Sequence, residues 1–201
     1  IPVIDFQPDI LHCHDWHTGM VSFLLDKEYK NDDRYKNIKT VFTIHNLQFQ
    51  GIFPKSILGD LLGLGEEYFT KDHLEFYGNI NFMKAALVSS NMITTVSPTY
   101  KNEIQTAFFG ERLDGVLREK SHILEGILNG IDDDIYNPES DPYIASHFSI
   151  QQIEGKATNK RELQKLCNLP EHNEIPIISM VTRLTKQKGL ELVEHVLHEI
   201  I

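Results

Sequence analysis

Three histidines, a cysteine and an aspartate fall within ten positions in the stretch ILHCHDWHTG, residues 10–19. Such side chains can bind a metal, transfer a proton or hold a polar substrate. If the stretch begins as a β-strand, His12 and His14 point to one side of it and Cys13 to the other. A histidine pair of this spacing opens the metal site of many metal-dependent hydrolases, which need further histidine or aspartate ligands on later strands. A purely structural role for the pair is the alternative, and the stretch alone leaves both open.

A second group of chemistry-bearing residues is the stretch RLTKQKG, residues 183–189, which lies between an apolar run and an amphipathic pattern. Ligands of parallel α/β sheets bind where strands end, and the N–H groups that open a following helix favour anions. Arg183, Lys186 and Lys188 add positive charge, while Gly189 allows the backbone to come close to a ligand. This combination fits a phosphate or diphosphate group, and a solvated basic turn is the alternative. The pattern is not GxxxxGK[ST], which disfavours a P-loop NTPase.

Three further polar residues are expected at one edge of a sheet. Asp15 and His45 each follow a predicted strand, and the carboxyl ends of parallel strands meet at the same edge. His45 can bond a hydroxyl or present its backbone carbonyl to a developing cation, and Asp15 can orient sugar hydroxyls. Asn129 lies in a predicted loop at that edge, where a turn residue in left-handed geometry is the alternative interpretation.

The elements that must position these residues alternate between strand and helix. Thr18 is a plausible N-cap for a helix over 18–29, which lies between predicted strands at 9–14 and 40–46 and so forms a βαβ unit. A strand buried on both faces is expected at 175–184, because its apolar run is continuous. Another strand is expected at 92–97, and helices are expected at 78–91, 97–108, 113–120, 155–169 and 189–201.

Composition narrows the class of protein. The chain has 201 residues, with 29 acidic and 19 basic side chains and a formal net charge of −10. Without a basic stripe a nucleic-acid partner is disfavoured, and no apolar run approaches the length that spans a membrane. Cys13 and Cys167 lie far apart, which indicates a reduced, cytoplasmic protein rather than a secreted one with a single disulfide. The chain does not begin with Met and stops within an apolar helical pattern, so we expect a piece of a longer protein.

Six segments of the chain resemble bacterial glycogen synthases and plant starch synthases, which are retaining glucosyltransferases that use a nucleotide-glucose donor, usually ADP-glucose. They occur in family order through nearly the whole chain: HCHDWHTG, TIHNLQFQGIFP, NFMKAALVSSNMITTVSPTY, GILNGIDDDIYNP, NKRELQKLCNLP and SMVTRLTKQKGLELV. The resemblance implies an α/β fold of GT-B type, with a Rossmann-like parallel sheet flanked by helices and cut short at both ends. It further implies that residues 1–140 belong to the acceptor-side domain, 141–173 to a crossing region and 174–201 to the start of the nucleotide-sugar-binding domain.

The same resemblance implies roles for single residues. Arg183 and Lys188 map to the cations that stabilise the leaving diphosphate; Gly189, which follows Lys188, is a substrate-binding candidate from the local pattern of the turn. His45 and Asp15 map to catalytic positions near the donor glucose, and Asn129 maps to a substrate-binding position. No metal and no cofactor are implied, and Lys186 matches no required position. The expected partners are ADP-glucose and the terminal 4-hydroxyl of an α-1,4-glucan; a front-face route and a covalent intermediate both stay open.

Two family motifs do not occur in the sequence. The Lys-x-Gly-Gly loop that reaches the donor phosphates and the Glu-containing, glycine-rich motif of the second domain are both missing from these 201 residues. We therefore expect that the parent protein is a synthase, that this chain alone has little or no activity, and that it self-associates through exposed sheet edges and apolar surface. A metal-dependent hydrolase and a non-catalytic carbohydrate- or phosphate-binding module remain the alternatives.

Overall fold

The computed structural model describes residues 6–200, and these form two compact units that meet in sequence after Gly130. The first unit contains both strands and helices. Its strands are β1 (Ile10–His14), β2 (Lys39–Ile44), β3 (Ile52–Pro54), β4 (Glu75–Phe76), β5 (Asn79–Asn81), β6 (Met92–Thr95) and β7 (Leu124–Gly126). Its helices are α1 (Gly19–Leu24), α2 (Ile57–Asp60), α3 (Phe82–Ser89), α4 (Pro98–Glu103) and α5 (Asp114–Glu119), with one π-turn (Leu25–Tyr29) directly after α1. None of the described helices is both long and apolar enough to cross a membrane.

A parallel sheet forms the centre of the first unit. Within the described residues it has four strands in the order β1-β2-β6-β7, all parallel. The register aligns His14 with Thr43, and Thr43 with Thr94. Since all four strands run in one direction, the residues that follow them lie at one edge of the sheet, as the sequence predicts. A smaller antiparallel sheet of order β3-β5-β4 lies within the same unit.

The core of this unit covers one face of β2. Phe42 and Ile44 alternate along the strand and are fully buried. They belong to a cluster that includes Met83 and Leu87 from α3 and Leu117 from α5. A second cluster gathers around Phe23 of α1 and holds this helix against the small sheet. Burial of these side chains fixes β2, and β2 carries the loop on which the candidate site depends.

Two of the predicted helix starts are found at their expected residues. The Ser97 hydroxyl accepts the backbone N–H of Tyr100 at 2.9 Å, and Pro98 occupies the first turn, so the predicted N-cap is confirmed. Thr18 also occupies an N-cap position, but its hydroxyl donates to the carbonyl of His14 at 2.8 Å instead of capping α1. The hydroxyl is bonded to the end of β1 as acceptor as well as donor, because it also accepts the backbone N–H of His14 at 2.6 Å.

The helix predicted over 78–91 is shorter in the structure, where it spans Phe82–Ser89. Its first residues form β5, and the helix begins at Phe82, where the Asn81 side chain accepts the N–H of Lys84 at 2.9 Å. The asparagine cap therefore sets the boundary.

The second unit contains α6 (Gly155–Leu166) and α7 (Leu190–Ile200), with a 3₁₀ turn (Lys186–Lys188) immediately before α7. The prediction of a buried strand over 175–184 is wrong: these residues have no strand pairing, and Ile178 and Val181 are 75% and 97% exposed. A strand needs neighbouring strands to satisfy its N–H and C=O groups, and the described residues of this unit supply none. Residue 201 of the predicted helix 189–201 lies outside the described residues.

Replacement of Phe42 by alanine tests the core of the first unit. We expect Phe42→Ala to lower the free energy of unfolding by about 3–5 kcal/mol, because it leaves a cavity in a fully buried cluster. Urea titration followed by fluorescence of Trp16, the single tryptophan of the chain, measures this change. Phe108→Ala is the matched control, because Phe108 is 85% exposed and its loss should cost less than about 0.5 kcal/mol. Equal effects of the two variants would contradict the assignment of the core.

Candidate active site

Asp15 connects the end of β1 to the loop that follows β2. Its carboxylate Oδ1 accepts the backbone N–H of His45 at 2.8 Å and that of Asn46 at 3.5 Å. Its own N–H donates to the carbonyl of Thr43 at 3.0 Å, which continues the pairing of β1 with β2. The two sequence-predicted residues Asp15 and His45 are therefore brought together, through a side chain to main chain bond.

The backbone of Asp15 is strained. Its φ of 52° and ψ of −179° lie in a region that favours glycine, and a non-glycine residue there costs about 1–3 kcal/mol. Such strain persists only where surrounding bonds over-determine the conformation, and it concentrates at functional sites. At Asp15 the three bonds to Thr43, His45 and Asn46 supply that constraint.

Three imidazole rings lie at the same edge of the sheet. His14 Nδ1 is 3.0 Å from His45 Nε2, and the rings of His12 and His14 have centroids 4.2 Å apart. His12 Nε2 lies 2.7 Å from the hydroxyl of Thr43, which in turn lies 2.6 Å from the hydroxyl of Thr94. The side chains thus form two hydrogen-bonded groups across neighbouring strands. One is the pair His14–His45, and the other is the series His12–Thr43–Thr94.

The pKa of His14 is lowered from its ordinary value. Desolvation is the main cause, and the neighbouring rings of His12 and His45 act in the same direction, while Asp15 opposes them. The neutral form of His14 is therefore favoured near neutral pH, and a neutral ring can either donate to or accept from the ring of His45.

The geometry does not support the metal-site interpretation of the histidine pair. Among residues 6–200, no group of three or more His, Cys, Asp or Glu side chains is arranged to hold a metal ion. His14 and His45 instead direct ring nitrogens at each other, and His12 bonds to a threonine hydroxyl.

Sequence analysis missed two aromatic residues that shape this edge. The hydroxyl of Tyr100 accepts the N–H of Leu47 at 3.1 Å and so holds the loop after β2 from the α4 side; burial raises the pKa of this phenol. The Trp16 ring stacks on His17, with centroids 4.0 Å apart. It also packs on Gly51, where φ is 62° and a Cβ atom would come within 2.4 Å of the ring. No local signal indicates the contacts of Tyr100 with Leu47 and of Trp16 with Gly51, since each joins residues more than thirty positions apart.

Asn129 lies in the exposed loop after β7. The N–H of Ile127 donates to the carbonyl of Thr95 at 2.8 Å, so pairing with β6 extends one residue beyond the end of the strand. This places the Asn129 loop at the carboxyl edge of the sheet, as predicted.

Arg183, Lys188 and Gly189 lie in the second unit, in and beside the turn before α7. Gly189 has φ of 74° and ends the 3₁₀ turn, donating its N–H to the carbonyl of Lys186 at 3.0 Å. The Lys186 ammonium is 3.5 Å from the carboxylate of Glu191, and the side chains of Arg183, Lys186 and Lys188 are all exposed. The sequence correctly predicts a basic turn that leads into a helix, although the strand expected before it is missing.

The lowered pKa of His14 gives a pH dependence to the stability of the first unit. Below about pH 6.5 the unfolded chain takes up a proton on this histidine more readily than the folded chain. We therefore expect the free energy of unfolding to fall as the pH drops from 6.5 towards the folded pKa, and to fall less in His14→Asn. Urea titrations at a series of pH values, followed by Trp16 fluorescence, measure the slope.

His122→Asn is the matched control for this measurement. His122 is exposed on the short turn Ser121–Ile123, so its replacement should leave the slope unchanged. Parallel stability curves for the parent chain and His14→Asn would show that His14 has no lowered pKa.

Comparison with known proteins supplies the family. A model of the starch synthase catalytic domain matches residues 1–119. Over all 201 residues the chain is 63% identical to a glycogen synthase of Anoxybacillus flavithermus, 61% to one of Geobacillus stearothermophilus and 58% to one of Bacillus cereus. It spans 42%, 41% and 42% of those proteins, respectively, or about two fifths of their length.

A solved structure agrees with these sequence matches. The catalytic domain of starch synthase IV from Arabidopsis thaliana, bound to ADP and acarbose, superposes with a TM-score of 0.89 at 35% identity, covering 98% of this chain and 41% of that one. The predicted α/β fold of GT-B type is thereby confirmed, and neither the metal-dependent hydrolase nor the non-catalytic binding module is supported. The chain belongs to the family of the starch synthase catalytic domain, to which its glycogen synthase relatives point as well.

Proposed function

We propose that this chain is part of a glucosyltransferase that transfers glucose from ADP-glucose to the 4-hydroxyl end of an α-1,4-glucan, with retention, in glycogen or starch synthesis. The observation that carries the proposal is the 63% identity to a glycogen synthase along the whole chain. Because the chain spans about two fifths of such relatives, we assign the activity to a longer protein that contains it.

The choice of substrates is supported by the solved relative. Starch synthase IV is bound to ADP, a nucleoside diphosphate, and to acarbose. We infer a corresponding donor and acceptor here, with residues 1–140 in the acceptor-side domain, 141–173 in a crossing region and 174–201 at the start of the nucleotide-sugar-binding domain. Nucleic acid and membrane are not proposed as partners.

The proposed mechanism depends on charge at the leaving group. As the bond from the glucose C1 to the diphosphate breaks, negative charge grows on the diphosphate and the sugar becomes oxocarbenium-like. Lys188 directly precedes Gly189 and Arg183 lies five residues before Lys188, and their exposed cations are suited to neutralise that charge without a metal or another cofactor. The 4-hydroxyl oxygen of the acceptor forms the new bond to C1 as the bond to the diphosphate breaks, and in the front-face route its proton passes to an oxygen of the departing diphosphate.

The hexose is held, in this proposal, by polar groups of the first unit. Asp15 and His45 act as catalytic residues near the reacting sugar, and Asn129 contributes a further hydrogen-bonding group. The bond from Asp15 to the N–H of His45 supports this role, because it fixes the backbone from which the His45 carbonyl projects.

Cellular location and self-association are also proposals. Both cysteines are free thiols in the structure, Cys13 buried and Cys167 exposed, which fits the reducing cytoplasm. Self-association of the isolated chain is supported by apolar side chains of α7 that are open to solvent, among them Leu192 at 73% exposure and Ile200 at 51%.

Substitutions in the basic turn test the mechanism in the longer enzyme. We expect Arg183→Ala or Lys188→Ala to lower kcat on the order of 10²–10³-fold with little effect on folding, because each removes one electrostatic contact to the leaving group. Lys188→Arg should also be impaired, since the two cations differ in shape and reach. Initial rates of glucose transfer from ADP-glucose to glycogen measure these effects.

Lys186→Ala is the control within the same turn. It removes a cation of the same kind that pairs with Glu191, and it should leave kcat within about twofold. Unchanged turnover in Arg183→Ala or Lys188→Ala would remove that residue from the mechanism.

The isolated chain provides a second test. We expect the 201 residues alone to transfer little or no glucose, because the sequence has neither the Lys-x-Gly-Gly loop nor the glycine-rich motif with its glutamate. A radiolabelled ADP-glucose assay with glycogen, run beside the longer enzyme at equal concentration, measures this. Robust transfer by the chain alone would contradict the expectation.

A further inference from the structure

The contact between His14 and His45 assigns a role to a histidine that the proposed mechanism leaves unused. The ring of His14 reaches from the end of β1 to the residue after β2, where its Nδ1 lies 3.0 Å from Nε2 of His45. The next residue, Asp15, accepts the backbone N–H of the same His45 at 2.8 Å. Two consecutive residues therefore hold His45 with their side chains: His14 contacts its ring, and Asp15 binds its main-chain N–H.

His14 is itself held in place from two directions. The backbone N–H of His14 donates to the hydroxyl of Thr18 at 2.6 Å. The same hydroxyl donates to the backbone carbonyl of His14 at 2.8 Å. The ring packs against the ring of His12, which is bound to the buried Thr43 hydroxyl. A side chain with such support can fix the orientation of another.

The proton count of the pair restricts what His45 can offer a ligand. A neutral imidazole has one N–H donor and one bare acceptor nitrogen. In a bond between two rings one nitrogen donates and the other accepts, so the tautomer of each ring depends on the other. Whichever ring donates, Nε2 of His45 is engaged by His14 and Nδ1 is left for a further partner.

We propose that His14 is a positioning residue: it fixes the ring orientation of His45 and ties the tautomer of that ring to its own, so that one nitrogen, Nδ1, meets a hydroxyl of the donor hexose. This inference rests on the proposed function of His45 in the glucosyl transfer. His14 does not touch the sugar and acts through His45 alone. The pair is solvent-exposed, so its main effect is on geometry and only a small part of the stability of the fold depends on it.

The bond itself is tested on the 201-residue chain. Histidine labelled with ¹⁵N reports the tautomer of His45 through the shifts of its two ring nitrogens, assigned with His45→Ala. We expect one fixed tautomer in the parent chain and averaged shifts in His14→Leu. His14→Asn should restore the fixed form, because the amide places a polar atom close to the position of Nδ1. His122→Leu, an exposed histidine, is the matched control and should change nothing. Averaged shifts already in the parent chain would overturn the proposal.

The consequence for catalysis is tested in the longer enzyme. We expect His14→Leu to lower kcat/KM for ADP-glucose about 10- to 100-fold while the urea midpoint stays close to that of the parent. His14→Asn should recover most of the loss. In a His45→Ala background, His14→Leu should have no further effect, since its action passes through the missing ring.

The outcomes separate this inference from the proposed function. If His45→Ala impairs transfer and the losses of the two variants are additive, His14 does not act through His45 and the inference fails alone. If His45→Ala retains full activity, His45 leaves the proposed site and the inference fails with it. Losses that are not additive, together with the restored tautomer in His14→Asn, support the positioning role.

Discussion

The parallel pairing of β1 with β2 is the constraint on which the candidate site depends. Because the two strands run in the same direction and in fixed register, the residues that follow them emerge side by side at one edge of the sheet. Asp15 can then reach the N–H of His45, although thirty positions separate them in the sequence. A shift of the register by one residue would turn His12 and His14 to the other face of the sheet, and the contact between His14 and His45 would be lost.

The buried core makes that pairing rigid enough to hold strain. Phe42 and Ile44 anchor β2 beneath the loop, and Tyr100 binds the loop from the side of α4. The positive φ of Asp15 costs free energy that an isolated turn would release by relaxing. Here the bonds to Thr43 and His45 oppose relaxation, so the carboxylate stays where it orders the loop.

The two units present different groups at the residues that the sequence singles out. In the first unit the imidazoles and the backbone groups that Asp15 orders suit hydroxyl groups, and the neutral form of His14 is favoured. In the second unit Arg183 and Lys188 present cations in a chain whose formal net charge is −10. The proposed function uses this difference: it assigns the hydroxyl groups of a hexose to the first unit and an anionic diphosphate to the basic turn of the second.

The sequence by itself determined the alternation of strands and helices in the first unit, the Ser97 cap, the basic turn and the family. These follow from local signals: β-branched runs, a Ser-Pro pair, closely spaced cations and motifs in a fixed order. Only the tertiary structure decided that His14 bonds His45, that Tyr100 holds the loop, and that residues 175–184 form no strand. Those outcomes depend on which distant residues come together, or on whether a partner strand is present, and an apolar run carries no information about either.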